Sequence, residues 1–176
     1  EGMAENKGWF MPETVEDKNT VTEIVENGIR YSVDVENGQK TGFFLDQKYN
    51  RQAVARIAKG KHVLDCFTHT GAFALNAAAG WAASVTAVDV SAEAVRMTGI
   101  NAEKNGFKDV VKPLEANVFD LLTKLAEEKS HAYDFIILDP PAFTKSGSTV
   151  KNAIRGYKEI NLKAMKLLPR GGYLAT

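Results

Sequence analysis

The first part of the chain alternates apolar and polar residues, which is the two-residue period of half-buried β-strands. Asn27-Gly28 and Asn37-Gly38 interrupt this alternation. Both residue types tolerate the positive φ angles of tight hairpin turns, so each pair predicts a reversal of the chain. We therefore predict a three-stranded β-meander over residues 20–46. Asp46 is then placed to cap a helix that covers about residues 47–58.

From Lys61 onward, short apolar runs alternate with longer amphipathic segments, a pattern typical of a parallel sheet covered by helices. The predicted strands lie at 62–66, 84–89, 110–115, 134–138 and 172–176, and the predicted helices at 72–79, 92–105, 118–129 and 150–168. Pro113 falls in the third strand and lacks the N–H of a central strand, so it predicts an edge. In the doubly wound order 3-2-1-4-5 the third strand is that edge. We predict an α/β fold with a Rossmann-like doubly wound sheet over residues 47–176, and a linker or tail over residues 1–19.

Composition excludes several classes of protein. Of 176 residues, 44% are apolar and 25% charged, which is ordinary for a globular domain. No apolar run approaches the roughly 20 residues of a membrane span, and one Cys with three His forms neither a disulfide framework nor a metal cluster. We predict a cytoplasmic protein without metal or membrane contact. The net charge of zero argues against an independent nucleic-acid-binding module.

Both ends of the sequence predict a longer natural protein. The chain starts with Glu1 rather than Met and stops at Thr176, inside a predicted strand. Such a sheet would present an open apolar edge, which proteins normally avoid. We therefore expect the last strands of the sheet to be missing here. The sequence leaves the oligomeric state open, with a homodimer as one candidate.

Three predicted strands end in an acid, at Asp65, Asp89 and Asp139. The carboxyl ends of parallel strands meet at one edge of the sheet, where such folds bind ligands. Asp89 follows Gly71 by 18 residues, close to the roughly 20-residue spacing at which an acid meets a ribose. We predict that Asp89 accepts both ribose hydroxyls. The alternative role, capping the next helix, suits Ser91 better.

The turn from Asp65 to Gly71 could receive a dinucleotide, S-adenosylmethionine or no ligand. A pyrophosphate needs three glycines for close backbone approach, and this turn has only Gly71. A ligand without phosphate does not need that clearance, so the turn favours S-adenosylmethionine over NAD. Cys66 has no adjacent His or Lys to lower its thiol pKa, so we favour a small buried hydrophobe over a nucleophile. His69 could contact the cofactor, whereas the other two histidines are predicted to be surface or satisfied residues.

Two further segments carry candidate chemistry. The amide of Asn117 could read the adenine edge beside the apolar Val118 and Phe119; the alternative is a helix cap, and both can hold. The segment Asp139-Pro140-Pro141-Ala142-Phe143 is rigid, because two prolines fix its backbone. We predict that Asp139 orients a nucleic-acid base, that Pro140 belongs to the platform beside it, and that Phe143 stacks on the base. The alternative is a structural turn.

Four segments together resemble the signatures of an enzyme family. They are Thr41-Gly42-Phe43-Phe44-Leu45-Asp46-Gln47-Lys48-Tyr49-Asn50-Arg51, Leu64-Asp65-Cys66-Phe67-Thr68-His69-Thr70-Gly71-Ala72-Phe73, Asp139-Pro140-Pro141-Ala142-Phe143, and Arg155-Gly156-Tyr157-Lys158-Glu159-Ile160-Asn161. The chain resembles the class I S-adenosylmethionine-dependent methyltransferases that modify 23S ribosomal RNA, in particular the cytosine-C5 group with an N-terminal PUA domain. The resemblance covers residues 20–176, and its first and last segments are specific to that group.

The resemblance implies S-adenosylmethionine as cofactor, 23S ribosomal RNA as partner, and catalytic roles for Asp139, Pro140 and Phe143. The predicted cofactor-binding residues are Gln47, Arg51, Asp65, Phe67, Thr68, Thr70, Gly71, Phe73, Asp89, Val90, Ser91, Asn117, Val118, Phe119 and Asp139. Two positions depart from the family pattern. Ala142 stands where the family often has Lys, and Asn117 stands where it has an acid.

In this family a Cys after the fifth strand attacks carbon 6 of cytosine, so that carbon 5 can accept the methyl group. That position lies beyond Thr176, and we expect the chain as given to be inactive and at most a weak cofactor binder. Two other interpretations stay open. One is methyl transfer to a base nitrogen, of the guanine type, for which Asp139 before two prolines needs no Cys. The other is a non-catalytic RNA-binding module, against which the three intact acids argue.

Overall fold

The structure is a computed structural model that describes residues 19–36, 38, 42–128, 130–143 and 150–176. Two strands come first, β1 (Val21–Glu26) and β2 (Ile29–Asp34), followed by a 3-10 turn, Leu45–Gln47. The rest alternates as α1 (Lys48–Ile57), β3 (His62–Cys66), α2 (Ala72–Ala79), β4 (Ser84–Asp89), α3 (Ala92–Lys104), β5 (Val111–Glu115), α4 (Val118–Glu127), β6 (Phe135–Leu138), α5 (Val150–Leu167) and β7 (Tyr173–Ala175). The predicted tail over residues 1–19 falls almost wholly outside the described residues.

The second sheet is parallel, with its five strands in the order β5-β4-β3-β6-β7. Counted from β3, this is the predicted order 3-2-1-4-5, and β5 carries Pro113 at the edge as predicted. Cys66 at the end of β3 pairs with Val88 of β4 and Leu138 of β6. The residues that follow these three strands therefore meet at one edge. The predicted α/β fold class is confirmed.

The central strands bury both of their faces. Val63, Val85 and Phe135 point into an apolar layer shared with the hairpin, α1 and α2. Leu64 and Ile136 point into the opposite layer, with α4 and α5. Burial on both faces is the usual state of a parallel sheet. With the faces covered, a ligand can approach the strands at their carboxyl ends.

The predicted β-meander is a hairpin. Within the described residues its sheet has two strands, and residues 42–44 form a bend and an irregular segment instead of a third strand. Gly42 has a φ of +81°, a left-handed conformation that leaves the extended path. Phe43 then turns inward, with its ring 4.8 Å from that of Tyr31. The apolar residues of this segment thus reflect burial under the hairpin rather than strand pairing. Asn37 and Thr41 of the prediction lie outside the described residues.

Asp46 does not cap α1, contrary to the prediction. It lies inside the 3-10 turn, and Gln47 precedes the α-helix without a side-chain capping bond. The 3-10 turn supplies the first turn of the helical segment, so α1 begins only at Lys48. Ser91 does cap α3, as predicted, by accepting a hydrogen bond of 3.3 Å from the backbone N–H of Ala94.

Candidate functional site

The turn between β3 and α2, residues 67–71, has an unusual backbone. Phe67, His69 and Gly71 have φ angles of +64°, +53° and +85°. The left-handed region costs a residue with a side chain roughly 1–2 kcal/mol. At Gly71 a Cβ atom would come within 2.8 Å of side-chain atoms of Leu75 and Thr98, so this position accepts only glycine. Strained backbone of this kind is concentrated at functional sites, which fits the predicted ligand turn.

Hydrogen bonds from neighbouring elements hold this strained turn. The backbone N–H of His69 donates to Asp89 Oδ2 at 2.9 Å. The hydroxyl of Thr98 donates to the carbonyl of His69 at 3.1 Å, and the amide of Asn101 donates to the carbonyl of Thr70 at 3.0 Å. Thr98 and Asn101 have no exposed surface. The sequence analysis missed both, although polar residues on the same helix face as Ala94 and Ala102 signal a buried polar contact.

Asp65 lies fully buried beneath the turn. Its Oδ2 accepts a 2.6 Å hydrogen bond from the hydroxyl of Thr68, and its Oδ1 has no partner within the described residues. Burial raises the pKa of Asp65 to about 7, with the charges of Asp139 and Asp89 adding to the rise. The Thr68 hydroxyl and the backbone N–H of Ala74 act in the opposite direction. The carboxyl group therefore holds the turn from inside the protein, through the hydroxyl of Thr68.

Asp89 and Ser91 lie close to the turn. Asp89 accepts hydrogen bonds from the backbone, and it is also the predicted acceptor of the ribose hydroxyls. Its Oδ2 accepts from the backbone N–H of His69 and its Oδ1 from that of Ser91 at 3.0 Å. A carboxylate offers about four lone-pair sites, so both oxygens can still receive ribose hydroxyls. Val90 between them is 70% exposed and lines the neighbouring cleft.

An apolar cleft of about 190 Å³ lies next to Asp89. It brings together residues that follow four strands, β3, β4, β5 and β6: Phe67, Val90, Ala116, Asn117, Val118, Phe119, Pro141 and Phe143. Asn117 caps α4, because its Oδ1 accepts from the backbone N–H of Phe119 at 2.9 Å and of Asp120 at 3.4 Å. The capping role is thus confirmed, and its Nδ2 makes no hydrogen bond within the described part of the chain. An apolar slot with a few polar groups at its rim suits a flat heteroaromatic ring.

Residues 139–143 form the rim opposite the turn. Asp139 is exposed as a residue. The surrounding chain nevertheless removes part of the water around its carboxyl, which raises its pKa, while the charge of Arg51 lowers it. Pro140 is partly buried beside it. The ring of Phe143 lies 4.4 Å from that of Tyr157 and 5.7 Å from that of Phe119. Phe143 therefore lines the cleft, and its predicted stacking on a substrate base stays a prediction.

Arg51 and Gln47 approach from the segment before β3; the side chain of Arg51 is engaged inside the protein, and that of Gln47 in a contact at the surface. The guanidinium of Arg51 donates to Glu26 Oε1 at 2.6 Å and to the carbonyl of Phe44 at 2.7 Å. It also lies over the ring of Phe43, 4.5 Å from its centre. Gln47 accepts a 2.7 Å hydrogen bond from Asn50. The buried Arg51–Glu26 pair connects α1 with the hairpin. The predicted contact of Arg51 and Gln47 with the cofactor stays a prediction.

Cys66, His62 and His131 have the environments that the sequence suggested, whereas the predicted contact of His69 with the cofactor stays a prediction. Cys66 is fully buried, and burial raises the pKa of its thiol, so it is a small hydrophobe. His69 packs edge-on against Phe44 with ring centres 5.3 Å apart, and burial lowers its pKa. His62 and His131 are exposed, and each ring contacts a neighbour, Ser84 Oγ and the carbonyl of Leu167.

Residues 6–176 match the protein family described as S-adenosylmethionine-dependent methyltransferase. The chain belongs to this family. The predicted methyltransferase class and its cofactor are thereby confirmed at the level of the family. Across the described ranges, no group of three or more His, Cys, Asp or Glu side chains is arranged to hold a metal ion. The helices in the same ranges lack the length and apolar character that a bilayer crossing requires.

Individual members of the family are similar to this chain over part of their length. The chain is 50% identical over 154 residues to Ribosomal RNA large subunit methyltransferase I of Shewanella denitrificans, which covers 87% of this chain and 38% of that protein. With the protein of the same name from Aeromonas salmonicida it shares 43% identity over 178 residues, or 100% of this chain and 44% of the relative. The chain therefore spans about two fifths of the length of these curated relatives.

Solved structures of methyltransferases share the fold. An S-adenosylmethionine-dependent methyltransferase from Streptococcus mutans superposes with a TM-score of 0.74 at 30% identity, over 88% of this chain and 40% of that one. A methyltransferase crystallised with SAH gives a TM-score of 0.77 at 29% identity, over 90% of this chain and 42% of the other. The fold of this chain is thus shared with solved structures of this class.

Proposed function

We propose that this chain is the cofactor-binding part of an enzyme that methylates large-subunit ribosomal RNA. The observation that carries the proposal is the 50% identity over 154 residues to a ribosomal RNA large subunit methyltransferase I. Because the chain spans 38% of that relative, the complete activity is proposed for a longer protein. When bound, S-adenosylmethionine supplies the methyl group.

The shape and chemistry of the site support a placement for the cofactor. The apolar cleft beside Asn117 is proposed to hold the adenine ring, because its walls are aromatic and aliphatic. Asp89 at the end of β4 is proposed to accept the ribose hydroxyls. Asp65 has no exposed surface, so its proposed role is to hold the hydroxyl of Thr68 and thereby the turn. Asp139 and Phe143 at the opposite rim are proposed to face the substrate base.

The finer proposal is transfer to carbon 5 of a cytosine in 23S ribosomal RNA. This chemistry needs a thiolate that adds to carbon 6 of the base. Cys66 cannot provide it, because the side chain is fully buried and burial raises its pKa. The nucleophile is therefore proposed to lie in sequence beyond Thr176.

A second proposal is transfer to a base nitrogen. Asp139 supports it, because an exposed carboxylate before two prolines can accept a hydrogen bond from an exocyclic amino group without any thiol. The two proposals share the cofactor site and differ in the modified nucleoside. The product of the reaction therefore decides between them.

Calorimetric titration with S-adenosylhomocysteine tests the cofactor site. We expect the full-length protein to bind, and its Asp89→Ala variant to bind at least tenfold more weakly, since a bidentate hydrogen bond to a carboxylate is lost. Asp109→Ala removes an exposed acid outside the cleft and serves as the matched control. Absence of binding, or equal binding by Asp89→Ala, would contradict the proposed placement.

The substrate is tested with the full-length protein, labelled S-adenosylmethionine and unmodified 23S ribosomal RNA. Label recovered in 5-methylcytidine supports the cytosine proposal, and label in an N-methylated base supports the second. RNA binding without any transfer of label would contradict both, and would instead support a non-catalytic RNA-binding module.

A further inference from the structure

Two asparagines, Asn101 of α3 and Asn105 directly after its end, occupy the position beside the hairpin where a further strand could pair. Within the described residues no strand pairs with the outer edge of β2. The side chain of Asn105 accepts from the backbone N–H of Arg30 at 2.9 Å and donates to its carbonyl at 2.7 Å. One helical turn earlier, Asn101 Oδ1 accepts from the backbone N–H of Ser32 at 2.9 Å. Side-chain amides thus satisfy the polar backbone groups that an edge strand leaves open.

The two asparagines differ in what their Nδ2 groups do. Besides Arg30, Asn105 Nδ2 reaches the carbonyl of Asn101 in α3, at 2.7 Å. Asn101 Nδ2 instead donates to the carbonyl of Thr70 in the β3–α2 turn, at 3.0 Å. Asn101 has no exposed surface. A single buried amide therefore joins the hairpin to the ligand turn.

The Thr70 carbonyl belongs to the part of the turn in which the backbone is strained. It lies between two left-handed residues, His69 with a φ of +53° and Gly71 with a φ of +85°. The hydroxyl of Thr70 is buried and has no hydrogen-bond partner within the described residues. The bond from Asn101 to this carbonyl fixes the peptide plane between Thr70 and Gly71, whose N–H donates to the carbonyl of Thr68 at 2.9 Å. A ligand turn binds tightly only if its backbone is held in one conformation.

We propose that Asn101 is a positioning residue of the cofactor site. Its oxygen is held by the hairpin through Ser32, and its Nδ2 holds the carbonyl of Thr70, so the hairpin becomes part of the support of the turn. This inference rests on the proposed cofactor placement. Asn105 makes the same kind of contact with the hairpin but none with the turn, which provides a control at the end of the same helix.

The test compares Asn101→Asp with Asn105→Asp. Each variant keeps an acceptor for the hairpin N–H and loses the amide donor, and each adds the same charge to α3. The dissociation constant of S-adenosylhomocysteine is measured by calorimetry at a temperature at which circular dichroism shows both variants to be folded. Under this condition a loss of stability alone does not change the measured affinity.

We expect Asn101→Asp to weaken S-adenosylhomocysteine binding about tenfold or more, since a buried carbonyl loses its donor, and Asn105→Asp to change it less than about threefold. Hydrogen exchange at residues 67–71 should accelerate in the first variant and not in the second. Equal effects on affinity, or no effect of Asn101→Asp, would overturn the inference.

A neutral variant separates charge from the lost bond. Asn101→Ser removes the amide without adding a carboxylate, and we expect it to weaken binding about tenfold as well. Binding as tight as wild type would overturn the inference even where Asn101→Asp does not fold. If the wild-type protein itself binds no S-adenosylhomocysteine, the proposed cofactor placement fails. If the wild type binds and the Asn101 variants bind equally well, only the role of Asn101 fails.

Discussion

The two sides of the candidate site are built differently. The β3–α2 turn is held by hydrogen bonds of 2.6 to 3.1 Å that involve the buried side chains of Asp65, Thr98 and Asn101. Residues 139–143 are held by ring contacts and by the hydroxyl of Tyr157, at 3.4 and 3.5 Å, which is the long limit for a hydrogen bond. Within the described residues, the turn is thus held by shorter and more deeply buried hydrogen bonds than residues 139–143. This difference supports the proposal that the turn belongs to the cofactor site and that the rim faces the larger RNA substrate.

The largest expected effect concerns the buried carboxyl of Asp65 on the turn side, because its ionisation destabilises the folded protein. The pKa of Asp65 in the folded protein is about 7, above its ordinary value of 3.8, so the folded state binds more protons than the unfolded state between these values. The contribution of Asp65 to stability is therefore fully present below about pH 4 and lost as the pH rises through about 7. Asp65→Asn should raise the free energy of unfolding at pH 8 by up to about 4 kcal/mol and change it little at pH 4.

Urea denaturation of wild type and Asp65→Asn at several pH values measures this effect. Asp109→Asn makes the same chemical change at an exposed position, and its profile should follow that of the wild type much more closely. A constant difference between Asp65→Asn and wild type from pH 4 to pH 8 would contradict the raised pKa. We also expect the variant to bind S-adenosylhomocysteine more weakly, since stability and function compete at this carboxyl.

The next largest effect tests the geometry of the turn. Gly71→Ala forces a side chain into the left-handed region and against Leu75 and Thr98, whereas Gly106→Ala at a φ of +74° meets no atom within 4 Å. Both changes carry the conformational cost, but only the first adds overpacking of about 1–3 kcal/mol. Gly71→Ala should therefore destabilise the protein by about 2 kcal/mol more than Gly106→Ala in chemical denaturation. Equal losses would mean that the turn relaxes more readily than its hydrogen bonds suggest.

A smaller effect is expected from the aromatic contacts of the opposite rim. Phe143→Leu removes ring contacts with Tyr157 and Phe119 and should cost about 1 kcal/mol of stability. Because Phe143 also lines the cleft, S-adenosylhomocysteine should bind a few-fold more weakly. Thermal denaturation and calorimetry measure the two effects. A stability loss as large as that of Gly71→Ala would show that the rim is as rigid as the turn.

The smallest effect separates the ring of Tyr157 from its hydroxyl. Tyr157→Phe keeps the ring contact with Phe143 and removes only hydrogen bonds at the long limit of distance. We expect a change in the free energy of unfolding below about 0.5 kcal/mol. A loss above about 1 kcal/mol in denaturation would indicate that the hydroxyl fixes residues 139–143 firmly, and the contrast between the two sides would disappear.

The sequence was sufficient for the features that depend on local pattern. Pro113 predicted an edge strand because proline lacks a backbone donor, and β5 is the edge of the sheet. Acids at the ends of apolar runs predicted a shared polar rim because parallel strands end on the same side. Asp89 and Asp139 do follow or end neighbouring strands at that edge, whereas Asp65 lies within β3 and is fully buried beneath the turn. The edge strand depends on chemistry that its segment carries by itself, whereas the burial of Asp65 depends on tertiary packing.

The features that sequence reasoning missed depend on contacts between distant segments. Asn101 lies 31 residues after Thr70, and periodicity indicates only that this helix face is buried, not which carbonyl it meets. The prediction of a third strand in the meander was wrong for a similar reason. An apolar residue such as Phe43 can be buried under a hairpin as well as in a strand, and the sequence pattern is the same in both cases. The roles of individual cofactor-binding residues, including Gln47 and Arg51, stay predictions.

The burial of Cys66 gives the protein an internal reporter of its own opening. It is the single thiol of the chain and has no exposed surface at the end of the central strand β3. An alkylating reagent can reach it only when the strands or the turn above it separate. The rate of labelling under native conditions therefore measures how often the centre of the sheet opens, and any ligand that closes the turn should slow that rate in proportion to its occupancy.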